Sequence, residues 1–124
     1  MNTLNFLIKP ASYLCNLDCS YCFYKKTEAI YPDDKAFMSE ETAEVLIQKA
    51  LQYGAAVNSF CWQGGEPTLL GANFFRTVVE HQKQYRQAGQ MIENSLQTNG
   101  LLLDSTWCEV LAQNQILVGL SLDG

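Results

Sequence analysis

Four short apolar runs, each closing on turn-forming residues, alternate with three amphipathic stretches along this chain of 124 residues. That alternation limits the fold more than any other feature of the sequence. The runs are Leu4 to Lys9, leading through Pro10; Val57 to Gln63, closed by Gly64-Gly65-Glu66-Pro67; Met91 to Thr98, closed by Asn99-Gly100; and Ile116 to Leu122, closed by Asp123-Gly124. Each is strand-sized and bounded by turn residues. Strands that alternate with helices imply right-handed crossovers and a parallel sheet.

The helical stretches carry their own start and stop signals. Ser39 is placed to cap a helix whose first turn holds Glu40 and Glu41, where the dipole favours negative charge. Ala43, Leu46, Ile47, Ala50 and Leu51 follow at helical spacing, and Gly54 is expected just past the end. A second helix gathers Phe74, Phe75, Val78, Val79 and Tyr85 on one side and stops near Gly89. A third begins at Asp104 or Ser105 and buries Trp107, Val110 and Leu111. The expected fold is therefore α/β, a parallel-sheet partial (β/α) barrel of four strands and three helices. In such sheets ligands bind at the carboxyl ends of the strands. All four turn sequences fall there. Because the chain stops at Gly124 with no helix to cover the fourth strand, residues 1–124 are expected to form the N-terminal half of a larger barrel.

Composition excludes several classes of function. Nearly half the residues are hydrophobic, at 48%, enough to build a core. Eight Lys and Arg against thirteen Asp and Glu give a net charge of -5, which argues against sequence-independent nucleic-acid binding. No run of about 18 apolar residues occurs, and the N-terminus lacks the basic region of a secretory signal. A cytoplasmic protein without a membrane partner is expected.

Five cysteines, Cys15, Cys19, Cys22, Cys61 and Cys108, make an odd set for a chain with no export signal, so a disulfide framework is a poor reading. Three of them crowd into C-x3-C-x2-C. Structural zinc wants four ligands, usually in two pairs. A [4Fe–4S] cluster held by three Cys instead leaves one iron open for another molecule, unlike an electron carrier with four Cys. Zinc completed by Cys61 or His81 is the competing reading. Cys61, inside an apolar strand, and Cys108, on a short helix, read as core residues. His81, among Glu80, Gln82 and Lys83, reads as solvated, and one histidine gives little support to Cys-His catalysis.

The segment Cys15-Asn16-Leu17-Asp18-Cys19-Ser20-Tyr21-Cys22-Phe23-Tyr24 resembles the signature loop of radical S-adenosylmethionine enzymes. With Trp62-Gln63-Gly64-Gly65-Glu66-Pro67-Thr68-Leu69, Ser95-Leu96-Gln97-Thr98-Asn99-Gly100 and Val118-Gly119-Leu120-Ser121-Leu122-Asp123-Gly124, the chain resembles the anaerobic sulfatase-maturating enzymes, which carry a C-terminal SPASM region.

The resemblance implies an oxidoreductase. Cys15, Cys19 and Cys22 would hold a [4Fe-4S] cluster, and its open iron would take the amine and carboxylate of S-adenosyl-L-methionine. Reductive cleavage then yields a 5′-deoxyadenosyl radical. Tyr21 would lie by the adenine, and Ser121 would touch the bound cofactor. Gly64, Gly65 and Glu66 would receive the methionine amino group, and Tyr24 and Gln63 would face the substrate peptide. The implied reaction oxidises a Cys or Ser of a sulfatase to Cα-formylglycine, with an electron donor such as flavodoxin or ferredoxin. A general base, auxiliary clusters and the SPASM region are expected beyond Gly124. Another SPASM-type peptide modifier and a non-catalytic zinc-binding regulatory module are the alternatives.

Overall fold

The computed structural model describes residues 2–11 and 37–120. The elements follow in the order β1 (Thr3–Ile8), α1 (Glu40–Gln52), β2 (Val57–Trp62), α2 (Ala72–Tyr85), β3 (Met91–Thr98), α3 (Ser105–Gln113) and β4 (Leu117–Leu120), with a short 3-10 helix at Pro67–Leu70 between β2 and α2. The strands form one sheet in the order β1-β2-β3-β4, every pair parallel. Sequential order means that each crossover moves one strand along in the same direction. Right-handed crossovers of this kind put every helix on one side of the sheet. That is the winding of a barrel wall, whereas a doubly wound sheet reverses its strand order.

Side-chain alternation makes the two faces unlike each other. Ile8, Trp62, Leu96 and Val118 stand in register across the sheet and face the helices, as do Phe6, Phe60 and Asn94. Against them pack Ile47 and Leu51 from α1, Phe74, Phe75, Val78 and Val79 from α2, and Trp107 and Leu111 from α3. Trp62 lies at the centre, its ring meeting Phe75 edge-on at 5.5 Å and Phe74 at 6.2 Å. Its indole Nε1 donates to Asn94 Oδ1 at 3.1 Å, so the ring is buried without stranding its polar atom. On the opposite face the register row is Leu7, Cys61, Ser95 and Leu117. Leu7 is 68% exposed and Leu117 73%, against 4% for neighbouring Ile8. In a (β/α) barrel wall the face away from the helices is the inner one.

Helix ends follow the expected chemistry. Ser39 Oγ accepts from Thr42 N at 3.1 Å, and Asp104 Oδ1 accepts from Trp107 N at 2.9 Å, each satisfying a first-turn donor. Gly54 follows α1 with φ +88°, the left-handed conformation that ends a helix. Ala43, Ile47, Ala50 and Leu51 are buried on α1, and Trp107, Val110 and Leu111 on α3. Leu46 and Tyr85 are half-buried, and α2 ends at Tyr85. The Tyr85 hydroxyl donates to Glu44 Oε2 at 2.7 Å, a bond that holds the phenol above its usual pKa.

Three sequence expectations are corrected here. Cys61 is only half-buried, because alternation places it on the inner face, away from Phe60 and Trp62. Cys108 is exposed, since the buried stripe of α3 runs through Trp107, Val110 and Leu111 and leaves the next residue outside it. His81 is not simply solvated: its side chain is 17% exposed, and Nδ1 lies 3.8 Å from Glu44 Oε2 between α1 and α2.

Candidate functional site

The carboxyl ends of β1 and β2 are tied together by backbone hydrogen bonds. Gln63 N donates to Ile8 O at 2.8 Å, carrying the β1–β2 ladder past the end of the strands. Met38 N donates to Pro10 O at 2.7 Å. Pro10 and Met38, on either side of the segment bearing the three clustered cysteines, therefore meet at this edge. Cys15, Cys19, Cys22, Tyr21 and Tyr24, and Ser121 after β4, lie outside the described residues.

The turn after β2 is built without side chains. Gly64 has φ +106°, a conformation that L side chains rarely adopt, and Gly64 and Gly65 leave the backbone open to close approach by a ligand. Replacing Gly64 with Ala forces a Cβ into that conformation. We expect the Gly64→Ala protein to lose about 1–3 kcal/mol in chemical denaturation, unless the turn remodels and gives up its geometry. A loss below about 0.5 kcal/mol would show that the turn tolerates a side chain.

Glu66 fixes the turn from beneath. It is 1% exposed, and Thr68 and Thr98 beside it are 2% and 1%. Glu66 Oε2 accepts from Thr68 N at 3.2 Å, from Thr98 Oγ1 at 2.6 Å and from the Thr68 hydroxyl. Oε1 accepts from Asn99 N at 2.8 Å. Thr98 Oγ1 in turn accepts from Gly100 N at 3.1 Å, and Asn99 Oδ1 from Leu101 N at 3.0 Å. The carboxylate thus joins the turn after β2 to the turn after β3, across more than thirty residues of chain.

Gln63 follows Trp62, the last residue of β2, and Gln97 follows Leu96, the register partner of Trp62 on β3; alternation puts Gln97 on the inner face with Ser95. A Cβ at Gly119 would collide with Gln97 Oε1, so the bare backbone of β4 is what lets the Gln97 amide lie across it. Gln63, Gly64, Gly65 and Glu66 are thereby brought to one rim. Thr68, Thr98, Asn99 and Gln97 join them. The sequence alone gives Thr68 and Gln97 no role and marks Asn99 as a turn residue after Thr98. Asn99 does make a turn bond, but its backbone N–H also serves Glu66. A buried carboxylate demands donors, and Thr68 in the 3-10 helix after β2 and Thr98 at the end of β3 are the available signal.

The two residues proposed to complete a zinc site lie on opposite sides of the sheet. His81 lies on the helix side of the sheet and Cys61 on the inner face. Among the described residues no group of three or more His, Cys, Asp or Glu could hold a metal ion. No helix among them is long and apolar enough to cross a membrane.

One-way winding, with a Gly-Gly turn at the carboxyl edge, is that of a parallel (β/α) barrel wall, a fold whose ligand sites lie at that edge. The chain belongs to the radical SAM superfamily, whose model matches residues 10–124. It is 43% identical over 125 residues to the cysteine-type anaerobic sulfatase-maturating enzyme of Clostridium perfringens (strain ATCC 13124), covering 100% of this chain and 34% of that protein. To the serine-type anaerobic sulfatase-maturating enzyme of Klebsiella aerogenes it is 39% identical over 123 residues, covering 97% of this chain and 29% of that one. The solved structure of native anSMEcpe with bound AdoMet and Cp18Cys peptide superposes with a TM-score of 0.87 at 44% identity, covering 99% of this chain and 32% of that one. The chain spans about a third of the length of these relatives.

Proposed function

We propose that this chain is the cluster- and cofactor-binding part of a radical S-adenosylmethionine oxidoreductase of the anaerobic sulfatase-maturating type. The observation that carries the reading is the rim itself. The Gly64–Gly65 turn is open to a ligand and anchored by a buried carboxylate, on the edge from which the cysteine segment departs. The similarity to enzymes of that name supports it.

In this reading Cys15, Cys19 and Cys22 hold a [4Fe–4S] cluster, and Tyr21, Gly64, Gly65 and Ser121 bind S-adenosylmethionine, with Glu66 part of the turn that receives it. When bound, the pair supplies a 5′-deoxyadenosyl radical that removes a hydrogen from a substrate carbon. The chain's own residues orient and shield. The backbone around Gly64 and Gly65 takes the methionine amino group, a contact that any Cβ there would crowd. Gln63, beside this turn, and Tyr24 hold the substrate peptide, with the Gln63 amide able both to donate to and accept from a peptide backbone. A relative seen with AdoMet and a peptide bound together supports a site that takes both.

The substrate is a Cys or Ser in a sulfatase polypeptide. Removal of one hydrogen atom, one further electron and one proton oxidises its Cβ, and hydrolysis then releases sulfide when the residue is Cys. The product is Cα-formylglycine. The initiating electron comes from a donor of the flavodoxin or ferredoxin type, and the general base and auxiliary clusters are assigned to the protein beyond position 124.

The test is anaerobic incubation of the full-length protein with S-adenosylmethionine, reductant and a sulfatase-derived peptide carrying Cys or Ser. Formation of an aldehyde captured by a hydrazine reagent, with 5′-deoxyadenosine, is the expected result. A new crosslink or thioether without aldehyde would move the assignment to another peptide-modifying branch.

A further inference from the structure

We infer that Glu66 is a positioning residue whose carboxylate locks the turns after β2 and β3 into one rigid rim, and that it serves the cofactor through the backbone of Gly64 and Gly65, not by touching the ligand with its side chain. The inference rests on the reading of this rim as the S-adenosylmethionine site. Geometry carries it. The side chain is 1% exposed, and both oxygens are engaged by the protein.

The donor set also explains why the residue must be a carboxylate. Two of its donors are backbone N–H groups, which cannot reverse: Thr68 N serves Oε2 and Asn99 N serves Oε1. Only a group that accepts at both ends satisfies them. A glutamine in either orientation would set its NH2 against one of these N–H groups and leave a buried donor without a partner. An aspartate would be one methylene short of spanning the two turns. Thr98 is the other half of the lock. Its hydroxyl donates to Glu66 and accepts from Gly100 N, so one oxygen fastens the second turn internally and to the first.

Two measurements on the full-length protein test this. The first is hydrogen exchange without cofactor, comparing wild type with Glu66→Gln, Thr98→Val and Thr98→Ser. Glu66→Gln and Thr98→Val are each expected to speed exchange in residues 63–66 and 98–101 together, leaving α1 and α2 protected. Thr98→Ser, which keeps the hydroxyl, should hold the wild-type pattern. The second is the Kd for S-adenosylmethionine in reconstituted protein of matched iron content. Glu66→Gln should weaken binding about tenfold to a hundredfold, the cost of one orphaned buried donor. Thr98→Val should weaken it in the same sense, and the double variant should fall within about twofold of Glu66→Gln, because both substitutions open one lock.

Exchange in both turns that is unchanged by Glu66→Gln overturns the inference. So does faster exchange with cofactor affinity unchanged, or a Thr98→Val protein that binds as wild type while Glu66→Gln does not, which would mark direct contact. Wild type that binds no S-adenosylmethionine would instead overturn the functional reading, and with it the service to the cofactor, while the exchange data would still judge the lock itself.

Discussion

Replacing Cys19 with Ala is expected to abolish the cluster, with iron and inorganic sulfide in the reconstituted protein falling to background. Three thiolates at C-x3-C-x2-C are all the ligands the segment supplies, and a site already one ligand short of the usual four has none to spare. Cofactor cleavage is lost with the cluster, so 5′-deoxyadenosine should fall below detection. The same holds for Cys15 and Cys22. Cys61→Ala is the contrasting variant: Cys61 sits half-buried on the inner face of β2, and its loss should leave iron content unchanged. Should Cys19→Ala retain stoichiometric iron, or Cys61→Ala lose it, the ligand assignment is wrong.

The second large effect concerns stability. Trp62→Ala should destabilise the protein by about 3–5 kcal/mol, the usual cost of emptying a fully buried aromatic site. Trp62 is 1% exposed, meets Phe74 and Phe75 edge-on, and continues the stack of Phe6 and Phe60 along the helix-facing side of the sheet. Helices and strands meet on this one ring, so little nearby can collapse into the space. Trp62→Phe keeps much of the apolar contact and gives up the bond to Asn94, a loss nearer about 1 kcal/mol. Urea unfolding monitored by circular dichroism measures both. A Trp62→Ala loss under about 1 kcal/mol would mean that the core does not centre on this residue. Trp62 lies just before Gln63 and Gly64, so the cavity would also sit directly below the rim.

Most of the architecture is legible in the sequence because its signals are local. Ser39 and Asp104 declare helix starts by side-chain chemistry, Gly54 declares an end, and the apolar spacing of α1 and α3 marks the buried stripe. The errors arise where a local pattern is ambiguous. In Val57–Trp62, the run Phe60-Cys61-Trp62 looks uniformly apolar, and only strand alternation shows that the cysteine must point away from its aromatic neighbours. On α3, Cys108 follows Trp107 and reads as sharing its burial, but a nine-residue helix buries a narrow stripe. The 3-10 helix at Pro67–Leu70 is too short to show a period.

The site divides in the same way. Gly64, Gly65 and Glu66 stand out as a motif, but which way the Glu66 carboxylate turns depends on Thr98 and Asn99, thirty-two and thirty-three residues further on. That juxtaposition comes from the β2–β3 register, and no local spacing encodes it. The space over Gly119 filled by Gln97 is hidden for the same reason.

The most direct test of the central claim is EPR of the anaerobically reconstituted, reduced full-length protein, recorded with and without S-adenosylmethionine. A [4Fe–4S]⁺ signal whose g-values shift when the cofactor is added is the predicted result, since the ligand then sits on the iron that Cys15, Cys19 and Cys22 leave open. A protein that binds zinc and forms no cluster, or a cluster whose spectrum is indifferent to the cofactor, would contradict it.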